Sequence, residues 1–244
     1  MADNNEKNMF KFERKGLDFP FYNNIPKLSN LKWTILFLGF IATILFNFFL
    51  RPQSPHEITG LIYFLIPFST FLYVANGKLG LICKKFQKKD VKFMIGIPFL
   101  YIICASLIGI ILHYIGLTSN SNPAFGQLYS IIFWINYPFQ IFGEELIKLI
   151  PFLIILFLVY KFTENRKIGI VIASLVSVLI FGLLHINSYG SIVHVIFIQG
   201  FCSLLFLYTY LKSKNIFISY IAHIVTDILI FIMGIFQGAS FLFL

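Results

Sequence analysis

The sequence has little charge, and acidic residues are especially few. Of its 244 residues only 12% are charged and 58% are apolar, and just 10 are Asp or Glu. The mean hydropathy is +0.85. A soluble domain carries about 25% charged residues, so this composition excludes that class. The chain is predicted to be an integral membrane protein.

Cysteine patterns and a cleavable leader are missing as well. Cys83, Cys104 and Cys202 lie in apolar surroundings with no C-x-x-C spacing, which argues against a disulfide framework and against a thiolate metal site. The N-terminal stretch lacks the basic, then apolar, then small-residue order of a signal peptide. We therefore expect the first apolar span to remain in the protein as a helix.

Long hydrophobic runs fill most of the chain, and none alternates with the two-residue period of a barrel strand. They cover residues 33–50, 58–75, 93–116, 127–160, 168–186, 192–211 and 216–236. Most are close to the roughly 20 residues that cross a bilayer core. We predict an all-α, polytopic bundle of seven spans, or eight if the fourth run breaks at Pro138 or Pro151 into two helices. Residues 1–30 are predicted to be a polar cytoplasmic tail and residues 31–244 the bundle.

Lysine and arginine are sorted between the two ends of the predicted spans. With seven spans, the segments on the N-terminal side hold nearly all of them, and the opposite side holds Arg51 alone. Basic residues accumulate on the cytoplasmic face, so the N-terminus is predicted to be cytoplasmic. This topology and attraction to anionic lipid explain the net charge of +9, which is therefore no argument for nucleic acid. Short loops and richness in Ile, Phe, Lys and Asn indicate a bacterial plasma membrane.

Several acidic and histidine side chains lie within the apolar runs or at their borders. They include Glu144, Glu145 and Asp227, together with His113, His185, His194 and His223. Burying such a group costs at least a few kcal/mol, so these groups normally face the interior of the bundle and pair there. Each of them needs a structural or functional explanation.

Helical spacing places several of these groups on shared faces. Asn136, Gln140, Glu144 and Lys148 recur every fourth residue, as do Phe181 with His185 and His223 with Asp227. A rise of about 1.5 Å per residue puts Glu144, His185, His223 and Asp227 in the outer half of the membrane. We predict that helices four, five and seven meet around one polar cavity. His194 lies at a similar height, and its place in this cavity is left open.

The residue types allow three kinds of chemistry. A carboxylate and a neutral imidazole can deprotonate a water while a second imidazole binds an oxyanion. Histidine and carboxylate are also zinc ligands, and zinc acidifies a bound water. Proton and ion pathways in transporters use the same groups. The residues alone do not separate these alternatives.

The order and spacing of these residues resemble the CPBP family of intramembrane proteases, which is the CAAX-processing and bacteriocin-processing group also called Abi. The family pattern is E-E-x-x-x-R, then F-x-x-x-H, then H-x-x-x-N, and the matching positions are Glu144, Glu145, Phe181, His185, His223 and Asp227. The resemblance covers residues 125–236, which are predicted to be the catalytic core. Leu149 stands at the arginine position, and Lys148 instead resembles the E-E-x-x-K pattern of PrsW-type proteases. Asp227 stands where Ras-converting CAAX proteases carry Asn.

The resemblance implies an endopeptidase that acts on a membrane-associated peptide or protein in the lipid bilayer. Glu144 and His185 would activate the attacking water, with Glu145 supporting the site. His223 and Asp227 would bind the scissile carbonyl or complete the shell of the water or metal. Lys148 would neutralise the carboxylate pair, and Phe181 would support His185. Zinc and no cofactor both remain open, and a metal would be held by Glu144, His185, His223 and Asp227.

Other interpretations remain open alongside the protease. The chain could be a non-proteolytic bacteriocin-immunity or scaffold membrane protein. A secondary transporter is a further alternative, although its two related halves with broken helices are not evident here. Glu144 with Lys148 could be only an intrahelical ion pair, and His223 with Asp227 only a buried hydrogen-bonded pair.

Overall fold

The computed structural model describes residues 9–51 and 56–237, and within them the side chains other than those of residues 56, 57 and 237. Seven long helices, joined by connections that include short helical turns, form this part of the chain, and no β-strand is present in it. They are α1 Asn30–Leu45, extended by a wider turn over Phe46–Leu50, α2 His56–Val74, α3 Val91–Tyr114, α4 Ile131–Thr163, α5 Arg166–Leu183, α6 Ile192–Ser213 and α7 Ile216–Gln237.

Each predicted span corresponds to one of these helices. Six of them are long and apolar enough to cross a membrane, and α2 contributes a shorter apolar helix, Ile58–Val74. The prediction of a polytopic α-helical bundle is confirmed. The fourth run is a single helix of 33 residues with Pro138 and Pro151 inside it. Because it does not break at either proline, the structure favours seven spans over eight.

Short polar side chains set several of the helix boundaries. The side chains of Ser29, Ser130 and Asn165 accept hydrogen bonds from backbone N–H groups in the first turns of α1, α4 and α5. These N-caps satisfy donors that have no partner inside the helix. At the other end of α4 the chain turns sharply at Glu164, which has a left-handed φ of 53°.

The connections between helices gather at the two ends of the bundle. At one end, Arg14 donates to the carbonyl of Lys85 at 3.1 Å, and Asn215 donates to the carbonyl of Lys84 at 2.6 Å. At the other end, the backbone N–H of Asn120 donates to the carbonyl of Tyr189 at 2.9 Å. The first end, called the basic end below, holds the lysine-rich connections that the charge pattern placed together.

Helix α4 runs through the centre of the bundle and is buried along its middle. It approaches α2 closely at Gly143, where an added Cβ would lie 2.9 Å from the carbonyl oxygen of Tyr63. Only glycine fits this contact without moving the backbone. The close contact fixes the position of the next two residues, Glu144 and Glu145.

The described part of the predicted tail, residues 9–29, packs against the basic end of the bundle. Phe19, Phe21 and Tyr22 are buried in the main hydrophobic core. Residues on both sides of position 30 share one hydrophobic core. The boundary between tail and bundle at residue 30 remains a prediction.

Buried ion pairs attach this N-terminal segment to the bundle. The Glu13 carboxylate accepts hydrogen bonds from Arg166 at 2.7 and 2.6 Å and from Lys214 at 2.6 Å. Arg166 also donates to Asp18 at 2.9 Å. Burial alone would raise the pKa of Glu13, but Arg166 and Lys214 together hold that pKa below its usual value. Burial lowers the pKa of Lys214 to about 8, and the negative charge of Glu13 opposes that change.

Replacing Glu13 by glutamine is expected to destabilise the fold by about 3–5 kcal/mol, because two buried cations lose their carboxylate. The expected loss is measured by thermal or denaturant unfolding in detergent at neutral pH. Glu164→Gln removes an exposed carboxylate and is the control. Because the folded pKa of Glu13 is lowered, its contribution is present above the unfolded pKa and disappears as the pH falls through the folded value. Equal stability of both variants would show that the ion pairs do not hold this segment.

Candidate functional site

A cavity of about 500 Å³ opens at the end of the bundle opposite the basic end. Its wall includes side chains from α4, from the connection after α5 and from α7, as predicted from the helical spacing. The structure places all four of the predicted central residues in this wall, namely Glu144, His185, His223 and Asp227. Their convergence joins three separate helical segments in one polar space.

Glu144 is the carboxylate of α4 that faces the cavity. Its Oε1 accepts a hydrogen bond from Gln140, one turn earlier on α4, at 3.1 Å. Its Oε2 lies 3.8 Å from Nε2 of His223 on α7. That separation is longer than a hydrogen bond. Glu144 is therefore oriented by one partner and keeps an oxygen directed towards the neighbouring imidazole.

Glu145 points away from the cavity into a buried cluster of donors. Its Oε1 pairs with the ammonium of Lys148 and accepts from Nδ1 of His223 at 2.8 Å. Its Oε2 is hydrogen-bonded by the hydroxyl of Ser219. Three donors thus occupy this carboxylate. Glu145 therefore holds His223 in place.

Lys148 pairs with Glu145, three residues earlier, and this is the carboxylate that it neutralises. Its ammonium nitrogen lies 4.5 Å from the ring centroid of Phe181 and 4.9 Å from that of Phe206. Aromatic faces attract a cation by their quadrupoles, particularly where water is excluded. The intrahelical pair of Glu144 with Lys148 considered above is not the contact in the structure.

His223 is surrounded by carboxylates on both ring nitrogens. Besides the bond from Nδ1 to Glu145, its Nε2 lies 3.8 Å from Glu144 and 3.7 Å from Asp227. The ring stacks on Phe206 with a centroid distance of 4.5 Å. Asp227 also accepts a hydrogen bond from the hydroxyl of Tyr137. The orientation of the imidazole is thus fixed from three directions.

His185 follows the end of α5 and is oriented by its own helix. Its Nδ1 lies 2.9 Å from the carbonyl oxygen of Phe181, four residues earlier. A carbonyl oxygen only accepts, so Nδ1 carries the proton and Nε2 keeps its lone pair. The Phe181 ring lies against the imidazole at a centroid distance of 4.8 Å. The F-x-x-x-H spacing therefore corresponds to a contact that fixes the tautomer.

His194 is not among the residues that line the cavity. Its ring stacks on Tyr189 at a centroid distance of 4.9 Å. Its Nε2 is buried without a hydrogen-bond partner among the described residues. The sequence left its place open, and the structure puts it behind the cavity wall.

The residues named above as a possible metal set are Glu144, His185, His223 and Asp227. Within residues 9–51 and 56–237, no group of three or more His, Cys, Asp or Glu side chains is arranged to hold a metal ion. These side chains do not fit a metal in this arrangement, so the reaction is derived from protein groups alone.

Tyr137 and Ser219 belong to the site although the sequence analysis did not select them. Each follows the helical spacing of a residue that was selected, since Ser219 lies four residues before His223 and Tyr137 seven before Glu144. A hydroxyl group on the same helical face as a selected residue is the sequence feature that could have identified them. Tyrosine and serine are common in apolar helices, so these two hydroxyl groups do not stand out as carboxylates and imidazoles do.

Comparison with known families matches one segment of the chain. Residues 126–229, less than half of the chain, match the family described as type II CAAX prenyl endopeptidase Rce1-like. No curated protein and no solved structure matches the chain. The matched segment contains every motif residue from Glu144 to Asp227. The predicted resemblance to the CAAX and bacteriocin-processing family is thus confirmed over this segment.

Proposed function

We propose that this protein is an intramembrane endopeptidase that hydrolyses a peptide bond of a membrane-associated peptide or protein. The observation that carries the proposal is the convergence of Glu144, His185, His223 and Asp227 on one cavity. The match of residues 126–229 to a CAAX prenyl endopeptidase family supports the same reaction class. A carboxylate, a neutral imidazole and a second imidazole are sufficient for water activation and oxyanion binding.

Glu144 is the proposed general base. It lines the cavity, and its Oε2 lies 3.8 Å from Nε2 of His223, which is too far for a hydrogen bond. A water molecule beside Oε2 transfers a proton to the Glu144 carboxylate. At the same time the oxygen of that water attacks the scissile carbonyl carbon. The same proton then passes to the leaving amine. His185 assists by accepting a hydrogen bond from the water at Nε2, which is free because Nδ1 donates to Phe181.

His223 is the proposed oxyanion donor. Its Nδ1 donates to Glu145, so Nε2 donates to a substrate oxygen only when the ring carries both protons. Carboxylates at 2.8, 3.7 and 3.8 Å stabilise that cationic form. Asp227 thus orients and supports the imidazole, and the developing negative charge is directed to His223. In this proposal Asp227, which stands where the family pattern has Asn, orients His223, and the oxyanion is bound by His223.

The orientation proposed from the charge pattern places the basic end in the cytoplasm. The cavity lies at the opposite end, so the peptide bond would be cut in the outer half of the bilayer. A bacterial plasma membrane remains the proposed location.

Histidine variants test the reaction on the purified full-length protein in nanodiscs. A pool of prenylated and unprenylated peptides, with and without leader sequences, is incubated with the protein and analysed by mass spectrometry. His185→Asn and His223→Asn are each expected to lower the rate of cleavage at least about a hundredfold. His113→Asn changes an exposed histidine outside the cavity wall and is the control.

Two results would contradict the proposal. Cleavage that is equal in both active-site variants and in the control would show that the cavity histidines are not used. Binding of pool peptides without cleavage by the unchanged protein would support the non-proteolytic immunity or scaffold alternative.

A further inference from the structure

Arg51 contributes a permanent positive charge to the wall of the cavity. Among the described residues that line this space, it alone is an arginine or lysine. It follows α1, in the turn that closes the Phe46–Leu50 extension. It therefore lies outside residues 126–229, the segment that matches the protease family. Neither the motif residues nor the proposed reaction steps account for a fixed positive charge at this place.

A buried asparagine holds the Arg51 side chain. Asn47 is 7% exposed, and its Oδ1 accepts a hydrogen bond from Nη1 of Arg51 at 3.2 Å. Its Nδ2 donates to the carbonyl oxygen of Leu184 at 2.9 Å. Both ends of this amide are therefore used, one on the arginine and one on the residue before His185. The link couples the position of the guanidinium to that of a proposed catalytic histidine.

An aromatic ring fixes the second side of the guanidinium. Its central carbon lies 5.3 Å from the ring centroid of Tyr63, a residue only 1% exposed. Arginine stacks on such rings and retains its N–H donors at the edge of the plane. Of its five donors, the described part of the chain accepts one, at Asn47. A guanidinium held in this way is arranged in advance for a partner with two oxygens.

We propose that Arg51 is a specificity residue that binds a carboxylate of the peptide substrate and so sets which peptide bond lies at Glu144. Arginine and carboxylate match in shape and charge as a two-bond pair. A C-terminal carboxylate and an acidic side chain share this chemistry. The inference rests on the proposed peptidase function, because it names the substrate group that the same cavity recognises.

A purely structural role for Arg51 makes a different prediction. If the guanidinium only balanced the charges of Glu144 and Asp227, its loss would affect all peptides alike. A carboxylate-binding arginine instead affects peptides that carry the carboxylate, and it changes KM and Kd more than kcat. The ratio between matched peptides therefore separates the two roles.

Three peptides of one farnesylated CAAX sequence provide the test. The first ends in a free carboxylate, the second ends in an amide, and the third ends in an amide but carries one added glutamate near that end. Kd is measured by fluorescence on the full-length protein with Glu144→Gln, so that binding does not depend on turnover. KM and kcat are measured on the protein with Glu144 intact. Each measurement is repeated with Arg51→Gln and Arg51→Lys, and with Arg14→Gln, which changes an arginine at the basic end, as control.

The free acid is expected to bind about tenfold to a hundredfold more tightly than the amide, the usual gain from a charged hydrogen-bonded pair. Arg51→Gln should abolish this preference, Arg51→Lys should keep a part of it, and Arg14→Gln should leave it unchanged. If the glutamate peptide binds as tightly as the free acid, the site accepts an acidic side chain as well as a C-terminus, and if it alone binds tightly, the carboxylate is an acidic side chain. No rescue by the added glutamate would identify the C-terminus.

The inference is overturned if the protein with Arg51 binds all three peptides equally, if it binds none of them, or if Arg51→Gln keeps the preference for a carboxylate. Should Arg51→Gln fail to fold, an unchanged preference in Arg51→Lys would overturn it in the same way. Carboxylate-dependent binding without any cleavage would support the role of Arg51 and contradict the peptidase. Cleavage at equal rates with and without the carboxylate would support the peptidase and contradict the role of Arg51.

Discussion

Replacing Glu144 by glutamine is expected to lower kcat for peptide hydrolysis by about a hundredfold to ten-thousandfold, the usual contribution of a general base. Glutamine has the shape of glutamate but cannot take a proton from water. The hydrogen bond from Gln140 persists, because the amide oxygen still accepts it. The loss is therefore expected in the chemical step, and the Kd for an uncleaved peptide should change little.

Single-turnover kinetics and peptide binding on the same preparations check this expectation. Glu164→Gln removes an exposed carboxylate far from the cavity and should retain the full rate. A tenfold or smaller effect of Glu144→Gln on kcat would place the base elsewhere. A large rise in Kd with kcat preserved would assign Glu144 to substrate binding.

The surroundings of the three carboxylates explain why Glu144 is proposed as the base. Glu145 is occupied by Lys148, His223 and Ser219, and Asp227 is bonded to Tyr137. Glu144 accepts one amide hydrogen bond and lines the cavity. Carboxylates placed in different environments can take different roles. Among the described residues, Glu144 is the one of these three that is hydrogen-bonded by neither a lysine, a histidine nor a hydroxyl group.

Much of the fold and the composition of the site could be predicted from the sequence because both depend on regular spacing. Hydrophobic length predicted the helices, and the four-residue interval predicted that Glu144, His223 and Asp227 face inwards. The partner of Lys148 could not be predicted this way, since residues three and four positions away share one helical face. The choice of Glu145 depends on Ser219 and His223 of another helix.

The attachment of the N-terminal segment was also beyond prediction. Its charged residues are typical of a solvated tail, yet Glu13 is buried against Arg166, a partner 153 residues later in the chain. No local pattern signals a contact at such a distance. The surroundings of Arg51 were hidden in part for a similar reason, because the ring of Tyr63 lies against its guanidinium from another helix.

The buried pair of Glu145 and Lys148 is expected to show strong energetic coupling. Glu145→Gln leaves the ammonium between two aromatic rings without its carboxylate, and Lys148→Met leaves the carboxylate without its cation. Each single change should destabilise the fold by about 3–5 kcal/mol, since an unpaired charge remains buried. The double variant removes both charges together, so it should be more stable than either single variant.

A double-mutant cycle in bicelles measures this coupling from equilibrium unfolding. Glu145→Gln combined with Glu13→Gln is the control, because Glu13 lies in the separate cluster at the basic end. That combination should be additive to within about 0.5 kcal/mol, as distant sites usually are. Additive losses in the Glu145 and Lys148 cycle would show that the pair is not a stabilising unit. Lys148 would then act through its contacts with Phe181 and Phe206, and its charge would be balanced by another group of the cavity region.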